Sequence, residues 1–209
     1  MSAFGAPVTN ETLKQMSKYK GKTIGQEDRA REAVRLIQAE SKNIKALNHT
    51  LELKNDYGDG ISTLCMIYNA TGSRLELVSD LTQDWHGSIY KESPASSFEN
   101  GQWISFLHTH PTSATYGCEA ARVYRGTDSS GQVRDFLVSW FIPYVGGSNS
   151  AYTKVAPKDE ARPDEGALVN ARKITVDDHD QHLKLTVSIG GASSAEFIAI
   201  LEHKFEPLT

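Results

Sequence analysis

The sequence has little cysteine, no long apolar run and no excess of basic residues. Its two cysteines, Cys65 and Cys118, lie inside apolar stretches and are predicted to be small buried side chains, with a single disulfide between them left open. No apolar run approaches the roughly 20 residues that a helix needs to cross a bilayer. Lys and Arg number 22 against 26 Asp and Glu, so the chain lacks the basic excess typical of nucleic-acid-binding proteins, and we expect no nucleic-acid partner.

Several short motifs are missing as well. The N-terminal stretch "MSAFGAPVTNETLKQ" has no basic segment followed by an apolar one, which favours synthesis in the cytoplasm, with any action on a membrane surface following release. The sequence contains no Gly-x-Ser-x-Gly elbow, phosphate-binding loop, dinucleotide fingerprint or Cys-x-x-Cys pair. These absences favour a protein that is not an enzyme and needs no cofactor.

Two histidines one residue apart, His108 and His110, raise the possibility of a zinc site of the JAMM metalloprotease type. The spacing of that site requires Ser and Asp where Cys118 and Ala121 stand, and "CEAARVYRG" predicts a strand where the site needs a helix. A catalytic zinc ion needs three protein ligands. The candidates for a third ligand do not lie at the sequence spacing of a known zinc motif: His86, Cys118 and Glu119. We therefore predict no metal site and place both histidines at a strand end, with a zinc hydrolase as a minor alternative.

The hydrophobic pattern changes near residue 60. In residues 1–60, a capping-box pattern at Thr9 and Thr12, or alternatively at Asn10 and Glu11, and apolar residues at helical spacing predict helices. In residues 61–209, short apolar stretches alternate with turns rich in Gly, Ser, Asn and Asp at intervals of about 8–12 residues, which predicts an antiparallel β-sandwich. The polar segment 156–182 predicts a long loop that has room for one helical turn. We expect a mainly β protein with an N-terminal helical segment, 1–60, packed on a sandwich domain, 61–209.

The stretch "RDFLVSWFIPYVGGSNSAYTKV", residues 134–155, is rich in aromatic residues. Phe136 is predicted to fill the core of the sandwich. Tyr144 and Tyr152 flank a Gly/Ser/Asn loop, where a tyrosine offers an apolar face together with a hydroxyl at the wet edge. Such side chains suit contact with a quaternary ammonium group or stacking on a sugar.

This stretch resembles the phosphocholine-site region of the actinoporins, which are sphingomyelin-binding β-sandwich cytolysins. Landmarks along nearly the whole chain resemble the plant jasmonate-induced proteins of about this mass, among them "YGDG", "YNATG", "DWHGSIY", "NGQW", "VYRGTD" and "TVSIGG". The chain is also similar to the mushroom protein nakanori, which is actinoporin-like. The resemblance implies an actinoporin-like antiparallel β-sandwich with N-terminal and flanking helices. It also implies a lipid-binding protein that recognises the phosphocholine head group of sphingomyelin in cholesterol-containing membranes.

The resemblance implies binding residues position by position. Pro143 and Tyr144 match the Pro-Tyr pair at the strand end, and Tyr152 stands where the actinoporins carry a membrane-facing aromatic cluster. Further positions fall near a Ser-bearing turn and in the loop that opens the next strand: Trp85, Gly87, Ser88 and Tyr116. Phe141 replaces an expected small hydroxyl residue, and 158–173 lacks the tyrosines that complete the actinoporin pocket, so we expect a rearranged site.

Two other functions stay open beside lipid binding and the zinc hydrolase. A carbohydrate-binding, lectin-like stress or defence protein would use Trp85, Tyr116 and Asn149 to stack on and hydrogen-bond a glycan. A stress-induced protein inside the cell would need no small ligand. Within the lipid-binding interpretation, the segment 9–54 is charged on most faces, which favours helices that stay packed on the sandwich and therefore binding without pore formation.

Overall fold

The computed structural model describes residues 3–111, 115–167, 173 and 175–205. Its helices include α1 (Asn10–Lys14), α2 (Gln26–Arg35) and α3 (Lys42–Tyr57), with 3-10 turns at Ser17–Tyr19, Ala39–Ser41 and Ser79–Leu81. Residues 165–167 are also helical. Its strands, in chain order, are β1 (Ala3–Phe4), β2 (Ser62–Ala70), β3 (Leu75–Leu77), β4 (Gln83–His86), β5 (Ser88–Ile89), β6 (Ser97–Phe98), β7 (Trp103–Thr109), β8 (Cys118–Thr127), β9 (Val133–Ile142), β10 (Ser150–Pro157), β11 (Thr175–His179), β12 (Leu183–Ile189) and β13 (Ser194–His203). None of the helices in these residues is both long and apolar enough to span a bilayer.

The strands form the two sheets of a β-sandwich. In the described part of the chain, one sheet has the order β1-β7-β2-β13-β12-β11 with β5 added beside β7, and the other has the order β10-β9-β8-β3-β6 with β4 added beside β8. Strands β2 and β13 are parallel, and the long hairpin β8–β9 is antiparallel. Apolar side chains from both sheets meet between them, among them Phe106, Trp140 and Phe197, all fully buried. The predicted mainly β sandwich is confirmed.

Strand β2 is buried along its whole length because both of its faces are covered. One face points into the sandwich, and the other carries Met66 and Tyr68 against the N-terminal helices. The helices contribute Leu13, Ala33 and Ala46 to this second apolar layer. A strand covered on both faces has no polar alternation, which explains the continuous run "STLCMIYNA".

Buried polar contacts attach the helical segment to the sandwich. Tyr68 Oη donates to the carbonyl oxygen of Ala33 at 2.7 Å, and Trp103 Nε1 donates to that of Ile37 at 3.0 Å. Lys42 is buried, and its Nζ donates to Tyr68 Oη at 3.1 Å and to the carbonyl oxygen of Gly101 at 2.7 Å. Burial lowers the pKa of Lys42 to about 8. Because an unpaired buried polar group is costly, these bonds resist separation of the helices from the sheet.

Three local features refine the sequence predictions. The helical run after Gly25 is divided by a left-handed turn at Glu40 and Ser41, with φ of 57° and 54°, which lets α3 fold back over the sheet. Strand β11 lies inside the segment predicted to be a loop. It alternates exposed and half-buried residues and pairs with β12 at the sheet edge, so only Val176 adds to the apolar core. The two cysteines are free and buried.

Candidate functional site

His108 lies in the core of the sandwich. Its Nδ1 accepts a hydrogen bond from Trp140 Nε1 at 3.1 Å and lies 2.9 Å from Cys118 Sγ, while its Nε2 lies 3.3 Å from Asp84 Oδ1. This order of Cys, His and Asp resembles a nucleophile triad, but burial raises the pKa of the Cys118 thiol to about 12, so the thiol stays protonated at neutral pH. Nδ1 already accepts the hydrogen bond of Trp140, so its lone pair is engaged and less available to deprotonate the thiol. The cluster is therefore a hydrogen-bonded part of the core.

A pocket of about 510 Å³ opens at one end of the sandwich, where the loop before β8 meets the loop after β9. We call it the tyrosine pocket. Its lining residues are His86, Thr115, Tyr116, Gly117, Glu119, Phe141, Pro143, Tyr144, Val145 and Glu165.

The β8–β9 hairpin brings the two tyrosines of this pocket together. Cys118 pairs with Ile142. Tyr116, just before Cys118, and Tyr144, just after Ile142, therefore lie at the same end of this antiparallel pair. Between them the backbone at Gly117 lies so close to the chain at Ile142 that an added Cβ would overlap the carbonyl oxygen of Ile142. Glycine at this position is what allows the two loops to touch.

Replacing Gly117 with alanine is expected to lower the free energy of unfolding by roughly 1–3 kcal/mol, because the backbone oxygen at the added methyl group cannot move away without opening the hairpin. Gly191→Ala is the matched control, since an added Cβ there meets nothing within 4 Å. Urea unfolding of both variants measures the difference. Equal stability of the two variants would contradict the close approach.

The mouth of the tyrosine pocket is apolar and exposed. The exposed fractions are 58% for Tyr116, 45% for Tyr144 and 82% for Val145. Tyr116 stacks on the ring of His86 with centroids 4.4 Å apart and planes inclined by 5°, and the ring of Tyr144 lies 6.2 Å from that of His110. These contacts hold two aromatic faces at the surface beside an uncovered aliphatic side chain.

The inner end of the pocket is acidic. Glu119 is 1% exposed, and its Oε1 has no hydrogen-bond partner among the described residues. Burial, and secondly the charge of Glu165, raise the pKa of Glu119 to about 7. His86 Nε2 lies 3.8 Å from Glu119 Oε2 and 3.7 Å from Glu165 Oε1.

An ion pair between the buried Arg122 and the partly exposed Asp84 holds β4, and with it His86, against β8. Arg122 is 1% exposed, and its NH2 group donates to Asp84 Oδ1 at 2.7 Å. Its NH1 group donates to the carbonyl oxygens of Gln83 and Ala121. Burial acts to raise the pKa of Asp84, but the neighbouring His108 ring and the charge of Arg122 outweigh it and lower that pKa.

The structure brings together three of the residues carried over from the resemblance, Tyr116, Pro143 and Tyr144, which line the tyrosine pocket. Trp85 and Tyr152 are half-buried and pack in a separate apolar cluster with Ala121, Val123, Leu137 and Ala156.

The other two carried-over residues, Gly87 and Ser88, have structural contacts, and so does Asn149, which was considered for a glycan. Gly87 has φ of +111° at the point where the chain leaves β4 and enters β5 in the opposite sheet, and an added Cβ would overlap the carbonyl oxygen of Thr109. Ser88 is exposed, and its carbonyl oxygen accepts from Thr109 Oγ1 at 3.3 Å. Asn149 is buried, and its Nδ2 donates to the carbonyl oxygens of Gly190 and Ala192 at 2.6 and 2.9 Å.

Sequence reasoning did not place His86, Glu119, Val145 and Glu165 in this pocket. A charged residue inside the apolar stretch "CEAARVY" was the available signal for Glu119. The pairing of His86 with Glu119 across β4 and β8 depends on strand register, which no local pattern reveals.

The sequence profile of a protein family described as "Nakanori-like protein" matches residues 4–203, nearly the whole chain. The chain belongs to the Nakanori-like family. The chain is 41% identical over 153 residues to the 23 kDa jasmonate-induced protein of barley (Hordeum vulgare). These residues are 73% of this chain and 71% of the barley protein. The crystal structure of the lipid binding protein Nakanori matches with a TM-score of 0.88 at 23% identity, over 96% of this chain and 100% of that chain, so the Nakanori-like fold is shared.

Proposed function

We propose that this protein binds sphingomyelin in cholesterol-containing membranes, taking the phosphocholine head group into the tyrosine pocket, without enzymatic activity. The observation that carries the proposal is the pair of exposed rings, Tyr116 and Tyr144, at the mouth of a pocket that is acidic inside. The solved relative Nakanori is a lipid binding protein, and the resemblance to it and to the actinoporins supplies the choice of sphingomyelin with cholesterol.

The chemistry of the pocket suits the trimethylammonium end of phosphocholine. Aromatic faces attract a quaternary ammonium group, by about 2 kcal/mol or more where water is excluded. Among the described lining residues, Glu119 and Glu165 are acidic, and none is Lys or Arg. The negative field of these carboxylates attracts the ammonium group to the rings and repels the phosphate, so the phosphate of the head group lies nearer the mouth of the pocket.

The rim of the pocket suits the surface of a bilayer. Tyrosine rings favour the head-group level of membranes, and Val145 projects beside them with 82% of its surface exposed. The net charge of −4 gives the chain no general attraction to anionic lipids, so we expect recognition to depend on the head group.

We further propose that binding leaves the bilayer sealed. A pore that used the N-terminal helices would require their release from the sandwich. That release would break the buried hydrogen bonds of Lys42, Tyr68 and Trp103 and expose the apolar layer beneath the helices. The protein would be made in the cytoplasm and would act peripherally on membrane surfaces after release.

Liposome sedimentation tests the proposal. In a buffer with EDTA, the protein is expected to co-sediment with sphingomyelin/cholesterol vesicles at least about tenfold more strongly than with phosphatidylserine vesicles, a difference of about 1.4 kcal/mol. Free phosphocholine should compete, and vesicles loaded with a self-quenched dye should not leak. Equal binding to all vesicles, or none, would refute lipid recognition, and dye release would refute the absence of a pore.

A glycan is the second candidate ligand and receives less support. Of the three residues considered for it, Tyr116 is exposed in the tyrosine pocket, whereas Trp85 packs in the separate apolar cluster. The Asn149 amide already donates both of its hydrogens within the protein. A glycan array run beside the vesicles distinguishes the two ligand classes.

A further inference from the structure

Three side chains at the inner end of the tyrosine pocket have their ligand atoms close enough together to share one metal ion. One ligand atom from each of His86, Glu119 and Glu165 lies within 4.8 Å of the others, and His86 Nε2 lies 3.8 and 3.7 Å from the two carboxylates. Ligands about 2.0–2.1 Å from a tetrahedral zinc ion are about 3.3 Å apart, so His86 must approach each carboxylate by about half an ångström. Glu165, whose ligand atom lies within 4.8 Å of that of Glu119, must also move towards it. The more exposed Glu165 is free of the sheet and can adjust.

The buried carboxylate is the second observation that points to a cation. Glu119 is almost wholly buried, lines the pocket and has an Oε1 atom without a hydrogen-bond partner. A buried carboxylate is costly unless a proton or a cation neutralises it. Among the described residues, the titratable side chains that act on Glu119 are His86 on the facing strand and Glu165 in the helical residues 165–167, and the second of these adds negative charge.

The surroundings hold two of the ligands in place. His86 pairs with Glu119 across β4 and β8, and the irregularity in this ladder between Asp84 and His86 turns the His86 side chain towards the pocket. The ring of His86 is fixed further by its stacking on Tyr116. A ligand set that is already ordered loses little entropy when an ion binds.

From these observations we propose that His86, Glu119 and Glu165 bind a divalent transition-metal ion, and that Zn²⁺ fits the set best. One imidazole nitrogen with two carboxylates gives three protein ligands and leaves a fourth position open to water. Ca²⁺ prefers six to eight oxygen ligands and Mg²⁺ an octahedral set, neither of which this group supplies. The proposal does not require lipid binding, although an ion bound to these two carboxylates would compete with the ammonium group of a lipid for the inner end of the pocket.

Isothermal titration of the full chain with ZnCl₂, after dialysis against EDTA and without lipid, tests the site. We expect one equivalent of Zn²⁺ to bind, and Ca²⁺ to give no saturable heat. His86→Gln and Glu165→Gln should each weaken Zn²⁺ binding at least about tenfold. Glu165 is half exposed, so its variant tests the site without threatening the fold.

Two controls separate this site from adventitious binding. His179→Gln and Glu76→Gln alter an exposed histidine and an exposed glutamate on other strands and should bind Zn²⁺ as the wild type does. Co²⁺ in place of Zn²⁺ should give the visible absorption of a four-coordinate site in the wild type and lose it in Glu165→Gln. No saturable Zn²⁺ binding, or equal binding by wild type, His86→Gln and Glu165→Gln, overturns the proposal and leaves the lipid proposal untouched.

Discussion

Replacing Asp84 with asparagine is expected to lower the free energy of unfolding by about 3 kcal/mol at neutral pH. The substitution keeps the size of the side chain and removes its charge, so the Arg122 guanidinium loses the carboxylate that it contacts at 2.7 Å. Removing one partner of a buried pair leaves an uncompensated charge, which costs about 3–5 kcal/mol. We expect the lower end of this range, because 35% of the Asp84 side chain is exposed to solvent.

The effect of this substitution should depend on pH. The pKa of Asp84 is lower in the folded protein than in the unfolded chain, so its contribution to stability is complete above the unfolded value of about 3.9. That contribution is lost as the pH falls through the lower pKa of the folded state. The difference between wild type and Asp84→Asn should therefore be constant near neutral pH and shrink in acid below about pH 4.

Urea unfolding at neutral and acid pH measures this difference. Asp80→Asn is the control, since Asp80 is an exposed acid in the 3-10 turn that precedes β4 and should change stability by no more than about 0.5 kcal/mol. A loss at Asp84 no larger than that of the control, or one that stays constant into acid, would show that the pair with Arg122 does not stabilise the fold.

The second prediction concerns the mouth of the tyrosine pocket. Tyr144→Ala is expected to weaken binding to sphingomyelin/cholesterol vesicles by at least about tenfold, because it removes one of the two aromatic faces offered to the ammonium group. Tyr144→Phe keeps the ring and should retain most of the binding. Partition between vesicles and solution, measured by sedimentation over a range of lipid concentrations, gives the ratio.

A matched variant shows whether the position matters or only the exposed apolar area. Ile44 is 51% exposed near the start of α3, while Tyr144 is 45% exposed. The C-terminal end of α3, at Tyr57, is the end that lies towards His110 and the pocket. Ile44 precedes Tyr57 by thirteen residues, which is about 20 Å along the helix. Ile44→Ala should bind vesicles as the wild type does. If it binds as weakly as Tyr144→Ala, or if Tyr144→Ala binds normally, the pocket is not the lipid site.

Much of the fold could be predicted because it is encoded by neighbours in the sequence. The Thr9–Thr12 capping box joins residues three apart, and the structure contains it. Turn residues between apolar stretches predict a succession of short strands, and this prediction does not require knowing which strands pair in the sheets. The hairpin β8–β9 also follows from chain order and brings Tyr116 and Tyr144 together at its open end, although the sequence analysis named both for binding through the resemblance.

Other features depend on contacts between distant residues. The sequence could not place the left-handed turn at Glu40 and Ser41, because the turn is adopted to lay α3 on the sheet against residue propensity. Edge strand β11 resembles a loop in composition, since one of its faces stays in solvent and only Val176 is apolar.

The candidate site divides in the same way. The aromatic mouth of the tyrosine pocket was determined by the sequence only in part. The hairpin places Tyr116 and Tyr144 at one end, whereas Tyr152, which also flanks a turn, packs in the separate apolar cluster. The acidic inner end was decided by the tertiary structure alone: His86 meets Glu119 only through the register of β4 on β8, and Glu165 joins them from the helical residues 165–167. Turn and strand signals act over a few residues, whereas register is fixed by the packing of side chains from the whole sandwich.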